Sequence, residues 1–249
     1  MKAITSFKRY EEKFLISQVQ AQALQEILKE HMVYDKFCTN GQVYTIYNIY
    51  YDTAENDIIR KSVAKPYYKE KLRLRSYEEN PKPDSKVFLE LKKKIGKVVN
   101  KRRVVLTYKQ AIDFVEKGIV PKANDYISEQ VIKEIKYFLD NNEVKPTTYI
   151  SYKRTALFDK DNPEFRLTLD SNILTRREDL DFNSGRYGDE LIGKDQRLME
   201  IKVQGAHPMW LVQALSELKI YKSSFSKYGK EYQGYILNNA SKNHYKKIA

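Results

Sequence analysis

Apolar and polar residues alternate in many short stretches of this chain, and a period of two predicts β-strands. By this pattern we predict strands over residues 3–16, 43–51, 67–78, 86–94, 98–106, 148–158, 165–170 and 198–204. The turn-rich stretch 79–85 and Gly96 punctuate the series, so they predict the connections of two successive hairpins.

Apolar residues spaced three and four apart predict helices between and after these strands. The predicted helices are one capped by Ser17 and ending near His31, a helical turn at 57–61, one from Thr107 to Gly118, one starting at Ser128 and closed by Pro146, one from Pro208 to about Leu218, and one at 229–239. Residues 175–194 are polar and predict a loop or an irregular hairpin. The elements together predict an α+β fold, a closed antiparallel β-barrel of about eight strands with helices packed outside, since closure would remove exposed sheet edges.

Charged residues recur two positions apart in the predicted strands, so both members of each pair project from the same face of a strand. The pairs are Glu11/Lys13, Arg73/Arg75, Glu90/Lys92, Lys101/Arg103 and Glu200/Lys202, together with Arg166 and Asp170 four residues on. The residues between them, such as Leu72 and Leu89, point the other way. A charged inner face and an apolar outer face predict an interior that holds a charged ligand, and the excess of lysine and arginine indicates an anion.

Composition narrows the partners further. The 249 residues include 45 basic and 33 acidic side chains, giving a formal charge of +12 that favours polyanions such as nucleic acid, anionic membrane or polyphosphate. The single cysteine, Cys38, excludes an internal disulfide and fits a reducing compartment. No stretch approaches the roughly 20 apolar residues of a membrane span, and no signal peptide pattern is present. We therefore expect a cytoplasmic protein without a transmembrane segment.

Eight sequence motifs follow one another in an order that indicates a family. They are YEEKF at 10–14, KLRLRSY at 71–77, VFLELKKK at 87–94, KRRVVL at 101–106, SYKRTALF at 151–158, FRLTLD at 165–170, LMEIK at 198–202 and SFSKY at 224–228. Together they resemble the catalytic domain of the vacuolar transporter chaperone (VTC) polyphosphate polymerases, in the triphosphate tunnel metalloenzyme (CYTH-like) superfamily. The resemblance covers about residues 6–237, which predicts a single domain over 1–249 with a short basic C-terminal tail.

The resemblance implies a tunnel whose inward cations bind a triphosphate or a growing polyphosphate, and a divalent metal, Mn²⁺ or Mg²⁺, held partly by Glu200. The catalytic residues that it implies by motif position are Lys13, Arg73, Arg75, Lys92, Lys101, Arg154, Arg166 and Glu200. All except Glu200 would bind substrate, as would Lys227 at one tunnel mouth. Lys222 is added because it lies two residues before Ser224, where the polymerases carry a second lysine. Arg103 and Lys202 are added because they share faces with Lys101 and Glu200.

Two positions favour a polymerase over a hydrolase of the same superfamily. Hydrolytic members carry ExExK on the first strand, but Arg9 stands where their first glutamate would be, and Lys202 stands where the late strand could carry a second glutamate. Fewer carboxylates offer fewer metal ligands to activate water, whereas more cations hold a long anion more tightly. We therefore expect an enzyme that transfers the γ-phosphate of ATP to inorganic polyphosphate.

Two alternatives remain open at this point. One is a metal-dependent tripolyphosphate or nucleoside triphosphate hydrolase, and the other is a non-catalytic module that binds polyphosphate or nucleic acid. The expected partners are ATP and inorganic polyphosphate, with no specific nucleic acid because no RNA-binding consensus is present. A membrane or export partner that receives the product is not identified by the sequence.

Overall fold

The computed structural model describes residues 10–38, 42–96, 98–162 and 164–246. The strands within these ranges are β1 (Tyr10–Ser17), β2 (Met32–Tyr34), β3 (Tyr44–Asp52), β4 (Tyr68–Ser76), β5 (Lys86–Ile95), β6 (Val98–Thr107), β7 (Lys145–Asp159), β8 (Arg166–Arg176), β9 (Asp189–Glu190) and β10 (Gln196–Val203). The α-helices are α1 (Gln18–His31), α2 (Asp57–Val63), α3 (Tyr108–Lys117), α4 (Tyr126–Asn141), α5 (Met209–Glu217) and α6 (Lys227–Lys246). Residues 3–9 of the first predicted strand and the last residues of the predicted basic tail, 247–249, lie outside the described ranges.

The strands form one large antiparallel sheet, which confirms the predicted α+β class. Hydrogen-bonded neighbours follow the order β1-β10-β8-β7-β3-β4-β5-β6, with β2 beside β7 and β9 beside β8. Within the described part of the chain this order ends at β1 and at β6, so the predicted closed barrel is not confirmed. The reason lies in the sequence signal itself: a period of two tells which face a residue occupies but not whether the outermost strands pair.

The chain divides into two compact units, each built from three separate segments. Unit 1 comprises Met1–Thr45, Tyr152–Ile173 and Ile192–Phe225. Unit 2 comprises Ile46–Ser151, Leu174–Leu191 and Ser226–Ala249. Strands β7 and β8 each run from one unit into the other. The expectation of a single domain stays a prediction.

Unit 2 buries the apolar face of β4, β5 and β6 against two helices. Leu72, Leu74, Leu89 and Leu91 are fully buried in a core that includes Phe114 of α3 and several residues of α4. Burying one such leucine contributes roughly 1.5–3 kcal/mol, so this face fixes which side of the hairpins turns away from the core. Every charged residue at the alternate positions of β4 and β5 therefore projects from the opposite face.

Unit 1 is built in the same way around α1 and α5. Phe14 of β1, Leu167 of β8 and Met199 and Ile201 of β10 are buried with Leu24 of α1. The alternate positions of β1, β8 and β10 again project from the face opposite to this core.

Local signals place most of the helix ends. The Ser17 hydroxyl accepts a hydrogen bond from the Gln20 backbone N–H while the Gln20 side chain accepts from the Ser17 N–H, so the predicted cap of α1 is confirmed. Thr107 and Gln110 form the same capping box at α3, and Gly118 ends that helix in the left-handed region, with a φ of 69°.

Two predicted boundaries are wrong by a few residues. Helix α4 begins at Tyr126 rather than Ser128, because the Asp125 side chain accepts a hydrogen bond from the Ser128 N–H and so acts as the cap. Pro146 lies inside β7, as its second residue, and does not close a helical region. The stretch 175–194 forms the irregular hairpin that its polarity predicts, with a 3₁₀ turn at Phe182–Ser184.

None of the helices in the described part of the chain is both long and apolar enough to cross a lipid bilayer.

Candidate functional site

Antiparallel register aligns charged residues into rows across β4, β5 and β6. Arg73, Glu90 and Arg103 form one row of cross-strand partners, and Lys71, Lys92 and Lys101 form the next. We call the following set the charged face of unit 2: Lys71, Arg73, Arg75, Glu90, Lys92, Lys101 and Arg103. The predicted cations of β4, β5 and β6 therefore share one face of the sheet.

Glu90 lies at the centre of this face and is almost fully buried, with 1% of its surface exposed. Its carboxylate accepts hydrogen bonds from the Nε atoms of Arg73 at 2.6 Å and Arg103 at 2.5 Å. The Lys101 Nζ and Arg75 Nε atoms lie 3.7 and 3.9 Å from it. Burial alone would raise the pKa of Glu90, but the surrounding cations hold it well below its ordinary value. Glu90 is therefore ionised and orients the cations around it.

The crowding of positive charge affects Lys101 most. Burial lowers the pKa of this amine; Glu90 opposes the shift, while Arg103, Arg73 and Arg75 reinforce it, and the resulting pKa is about 8. One carboxylate does not neutralise the cations assembled around it. The face therefore offers positive charge to an anion.

Two polar residues of β3 hold the arginines of β4 in place. The Asn48 side chain accepts a hydrogen bond from the Arg75 Nε at 3.0 Å and donates one to the Ile150 carbonyl at 2.9 Å. Arg73 donates to the Tyr50 hydroxyl at 3.2 Å. Sequence reasoning missed Asn48 as a functional residue, although an asparagine in an otherwise apolar, aromatic strand is a signal for such a role.

The start of α6 packs beside the same strands of unit 2. Tyr228 stacks on Tyr50 with ring centroids 4.5 Å apart, and the Lys71 Nζ lies 5.5 Å from the centre of the Tyr228 ring. The Tyr228 hydroxyl donates a hydrogen bond to Asp52 at 2.7 Å. Lys227, the first residue of α6, is buried next to this anchor. Lys71 also belongs to the face, although sequence reasoning did not select it within KLRLRSY.

Unit 1 carries a second charged surface on β1, β10, β8 and β7. Lys13, Glu200 and Thr168 form one row of cross-strand partners, and Glu11, Lys202 and Arg166 form the next. We call the following set the charged face of unit 1: Glu11, Lys13, Arg154, Arg166, Thr168, Asp170, Glu200 and Lys202. The predicted residues of these strands are thus brought together.

Arg154 is the most tightly held cation of this face. It donates two hydrogen bonds to Asp170, at 2.6 and 2.7 Å, and lies 3.7 Å from Glu200. Burial opposes its charge, but Asp170 foremost raises the pKa of Arg154 well above its ordinary value. Asp170 thus pairs with Arg154 and not with Arg166, as the spacing along β8 had predicted. The partner lies on the neighbouring strand, which sequence spacing alone does not reveal.

The remaining residues of this face are less constrained. The Lys13 Nζ lies 3.3 Å from Glu200 and 3.4 Å from Glu11, and Lys202 lies 3.8 Å from Glu11. The guanidinium of Arg166 lies over the Phe158 ring, 4.5 Å from its centre. These cations are therefore held by single contacts, and an incoming anion can recruit them at small cost.

Lys222 does not join the charged face of unit 1. Its Nζ donates a hydrogen bond to Glu12 at 2.5 Å, and Glu12 also contacts His207 at 2.8 Å. Glu12 alternates with Glu11 and Lys13 along β1, so it projects from the opposite side of the strand. The predicted role of Lys222 in substrate binding stays a prediction, and this placement does not favour it.

The fit of a divalent metal can be judged from the donors around Glu200. No group of three or more metal-ligating side chains occurs among the described residues. However, Mg²⁺ and Mn²⁺ commonly bind through one or two carboxylates together with substrate phosphates. Beside Glu200, the Thr168 hydroxyl is buried and has no hydrogen-bond partner in the described part of the chain. The donor set therefore fits a metal ion that arrives with phosphates, and it does not form a complete cage.

Comparison with protein families gives a match to the model of the VTC domain over residues 8–235. No match was found among curated proteins.

Solved structures share the fold at low sequence identity. A protein from Bacillus halodurans, named provisionally as an adenylate cyclase, has a TM-score of 0.51 and 14% identity, with 87% of this chain and 92% of that chain covered. A protein from Vibrio parahaemolyticus with the same provisional name has a TM-score of 0.43 and 12% identity, with 88% and 94% covered. The PH1819 protein from Pyrococcus horikoshii OT3 has a TM-score of 0.43 and 15% identity, with 90% and 99% covered.

Proposed function

Because this chain belongs to the VTC domain family, we propose that it is a polyphosphate polymerase, which transfers the γ-phosphate of ATP to a growing chain of inorganic polyphosphate. The observation that carries the proposal is the charged face of unit 2, where six cations surround one ionised carboxylate, Glu90. A surface with this excess of positive charge matches a ligand with a negative charge on every phosphate unit.

The arginines and lysines of the two faces have different tasks in this proposal. Arginine presents a planar fork to two phosphate oxygens, and here Arg73 and Arg103 are oriented by Glu90 while Arg154 is oriented by Asp170. Lysine acts as a mobile point charge, as Lys13, Lys92 and Lys101 would. Phosphoryl transfer depends on alignment and charge neutralisation more than on covalent chemistry by the protein, so this inventory is sufficient for the reaction.

The transfer itself balances without water. A terminal oxygen of the polyphosphate attacks the γ-phosphorus of ATP, and the bond between that phosphorus and the bridging oxygen breaks. ADP leaves with the electron pair, and the chain is one phosphate longer. The residues described above bind and align both phosphate chains and neutralise the charge that spreads over the transferred group.

A divalent cation, Mn²⁺ or Mg²⁺, would be held by Glu200 together with phosphate oxygens. When bound, it supplies further neutralisation of phosphate charge. Lys13 and Arg154 lie within 4 Å of the same carboxylate, so they keep Glu200 ionised and positioned for that role.

Transfer to phosphate, and not to water, is supported by the state of the carboxylates. Glu90, Asp170, Glu200 and Glu11 each lie within 4 Å of at least one cation. A hydrolase would need a base that accepts a proton from water, and a carboxylate engaged by arginine or lysine is a weak base because its pKa is lowered.

The experiment that tests the proposal separates products by chain length. The protein is incubated with ATP, Mn²⁺ or Mg²⁺ and a short polyphosphate primer, and the products are resolved on a gel. We expect a ladder of longer chains, together with ADP. Arg73→Ala and Arg154→Ala should each reduce its formation by roughly 100-fold, the usual effect of losing one well-placed charge donor.

Lys133→Ala is the matched control, because Lys133 is an exposed cation of α4 whose partner is Glu129. It should leave the ladder unchanged. Shortened primer with free phosphate would instead assign the protein to the hydrolases. Tight binding of tripolyphosphate without any turnover would assign it to the binding modules.

A further inference from the structure

One aromatic residue interrupts the charged face of unit 2. Along β5, Phe88 shares a face with Glu90 and Lys92, since the three residues alternate with buried Leu89 and Leu91. Its cross-strand partners are Arg75 on β4 and Val105 on β6. An apolar ring therefore stands in register with the cations, one row away from Glu90.

Two further apolar residues accompany Phe88. Tyr77, directly after β4, places its ring edge-to-face against Phe88, with centroids 5.5 Å apart and planes at 87°. Tyr77 is 43% exposed and Val105 is 48% exposed. Among the described residues that form the hydrophobic core of unit 2, none of the three is included. The cluster is thus accessible apolar surface at the end of a basic face.

Arg103 connects this cluster to the phosphate-binding cations. Its guanidinium lies over the Phe88 ring, 4.6 Å from the centre, while its Nε donates to Glu90. Residues two apart on a strand are separated by roughly 7 Å, so Phe88, Glu90 and Lys92 follow one another at about that spacing. Along β5 the surface therefore changes from aromatic to strongly basic within a few residues.

We propose that Tyr77, Phe88 and Val105 form the binding site for the nucleobase of a nucleoside triphosphate, whose phosphates bind Arg73, Arg103, Lys92 and Lys101. The inference rests on the proposed function and specifies where its nucleotide substrate binds. A nucleoside triphosphate has the same polarity as this surface, with one flat apolar end and one polyanionic end. Stacking on aromatic rings is how proteins commonly bind a base without reading its identity.

The proposal separates two ligands that share phosphates but differ in the base. ATP would contact the aromatic cluster, whereas inorganic tripolyphosphate would not. Binding of each ligand to the whole protein is measured by calorimetry for the wild type, Phe88→Leu and Tyr77→Leu. Tyr126→Leu is the control, because Tyr126 is a tyrosine of the same unit that is 72% exposed.

We expect Phe88→Leu and Tyr77→Leu each to weaken ATP binding roughly tenfold, in line with the usual energy of base–aromatic stacking. Tripolyphosphate binding should change less than twofold in both variants, and Tyr126→Leu should alter neither ligand. Tyr77 is the more exposed of the two rings, so its variant provides the result if Phe88→Leu does not fold.

Equal changes for ATP and tripolyphosphate, or no change for either, would overturn the nucleobase site and leave the proposed function standing. A wild-type protein that binds tripolyphosphate but not ATP would overturn both the site and the polymerase proposal. The two failures are therefore distinguishable in one set of titrations.

Discussion

At the scale of single residues, the charge balance around Glu90 carries most of the chemistry of unit 2. The carboxylate is buried, ionised and within 4 Å of Arg73, Arg75, Lys101 and Arg103. These cations repel one another, and Glu90 offsets only part of that repulsion. The protein therefore holds a surplus of positive charge that an anion can relieve.

Glu90→Gln removes the only negative charge of this set while keeping its shape. We expect the free energy of unfolding to fall by on the order of 3 kcal/mol, because the cations lose their buried partner. Urea unfolding measures the change. Added tripolyphosphate should restore more stability to this variant than to the wild type, since the anion replaces the missing charge.

Glu129→Gln provides the comparison, because Glu129 is an exposed carboxylate of α4 paired only with Lys133 among the described contacts. This variant should unfold at the same urea concentration as the wild type. Equal stability of Glu90→Gln and Glu129→Gln would show that the cations do not depend on Glu90.

Lys101 gives the anion affinity a pH dependence. Its pKa is about 8 in the folded protein, so the amine is mostly charged at pH 7 and mostly neutral at pH 9. We expect tripolyphosphate affinity to fall as the pH rises through this interval. Lys101→Arg should flatten the fall, because arginine stays charged, and parallel titrations of both proteins at each pH measure the difference.

The same shift has an opposite consequence for stability. The unfolded chain binds more protons than the folded chain between about pH 8 and the ordinary lysine range, so the unfavourable contribution of charged Lys101 fades as the pH rises through that range. Identical pH profiles for the wild type and Lys101→Arg would contradict this assignment of the titrating group.

At the scale of elements, the start of α6 depends on one hydroxyl. The Tyr228 hydroxyl donates to Asp52 and lies 3.2 Å from the Thr147 Oγ1, while Asp52 also accepts backbone N–H bonds from Ile58 and Ile59 at the start of α2. Burial, together with Asp52, raises the pKa of Tyr228, so the hydroxyl keeps its proton. One carboxylate thus ties α6, α2 and β3 together.

Tyr228→Phe keeps the ring stacked on Tyr50 but deletes this hydroxyl. We expect a loss of about 1–2 kcal/mol in the free energy of unfolding, the usual effect of removing a buried hydrogen bond to a charged group. Hydrogen exchange should show faster exchange at the N-terminal end of α6. Tyr137→Phe, at an exposed position of α4, is the matched control and should leave both measurements unchanged.

The sequence predicts elements better than it predicts partners. Alternation and capping residues locate the eight longer strands and most helices, because these signals act within a few residues. The three-residue β2 escapes this reading, because it is too short to show a period. Asp170 pairs with Arg154, and Lys222 pairs with Glu12, because these choices depend on neighbouring strands and loops. Register, not composition, decides which charges meet.

At the scale of the whole molecule, the charge of +12 makes stability sensitive to anions. A ligand that binds only the folded protein raises its melting temperature in proportion to its affinity. We therefore expect tripolyphosphate to raise the melting temperature by several degrees at concentrations where sulfate, at matched ionic strength, has little effect. Thermal scans in both salts measure this. Equal shifts would indicate general screening of charge, as expected for a surface without specific phosphate sites.

The assembly of each unit from separate chain segments has a consequence for synthesis in the cell. Strand β1 ends at Ser17, but its partner β10 begins only at Gln196, so the first strand to leave the ribosome must wait for almost the last. At typical rates of 5–20 residues per second this delay is roughly 10–40 s. During that time β1 is an unpaired edge with apolar residues on one side, which is a template for aggregation. Nascent chains of this protein are thus candidates for holding by chaperones until residue 225 has emerged.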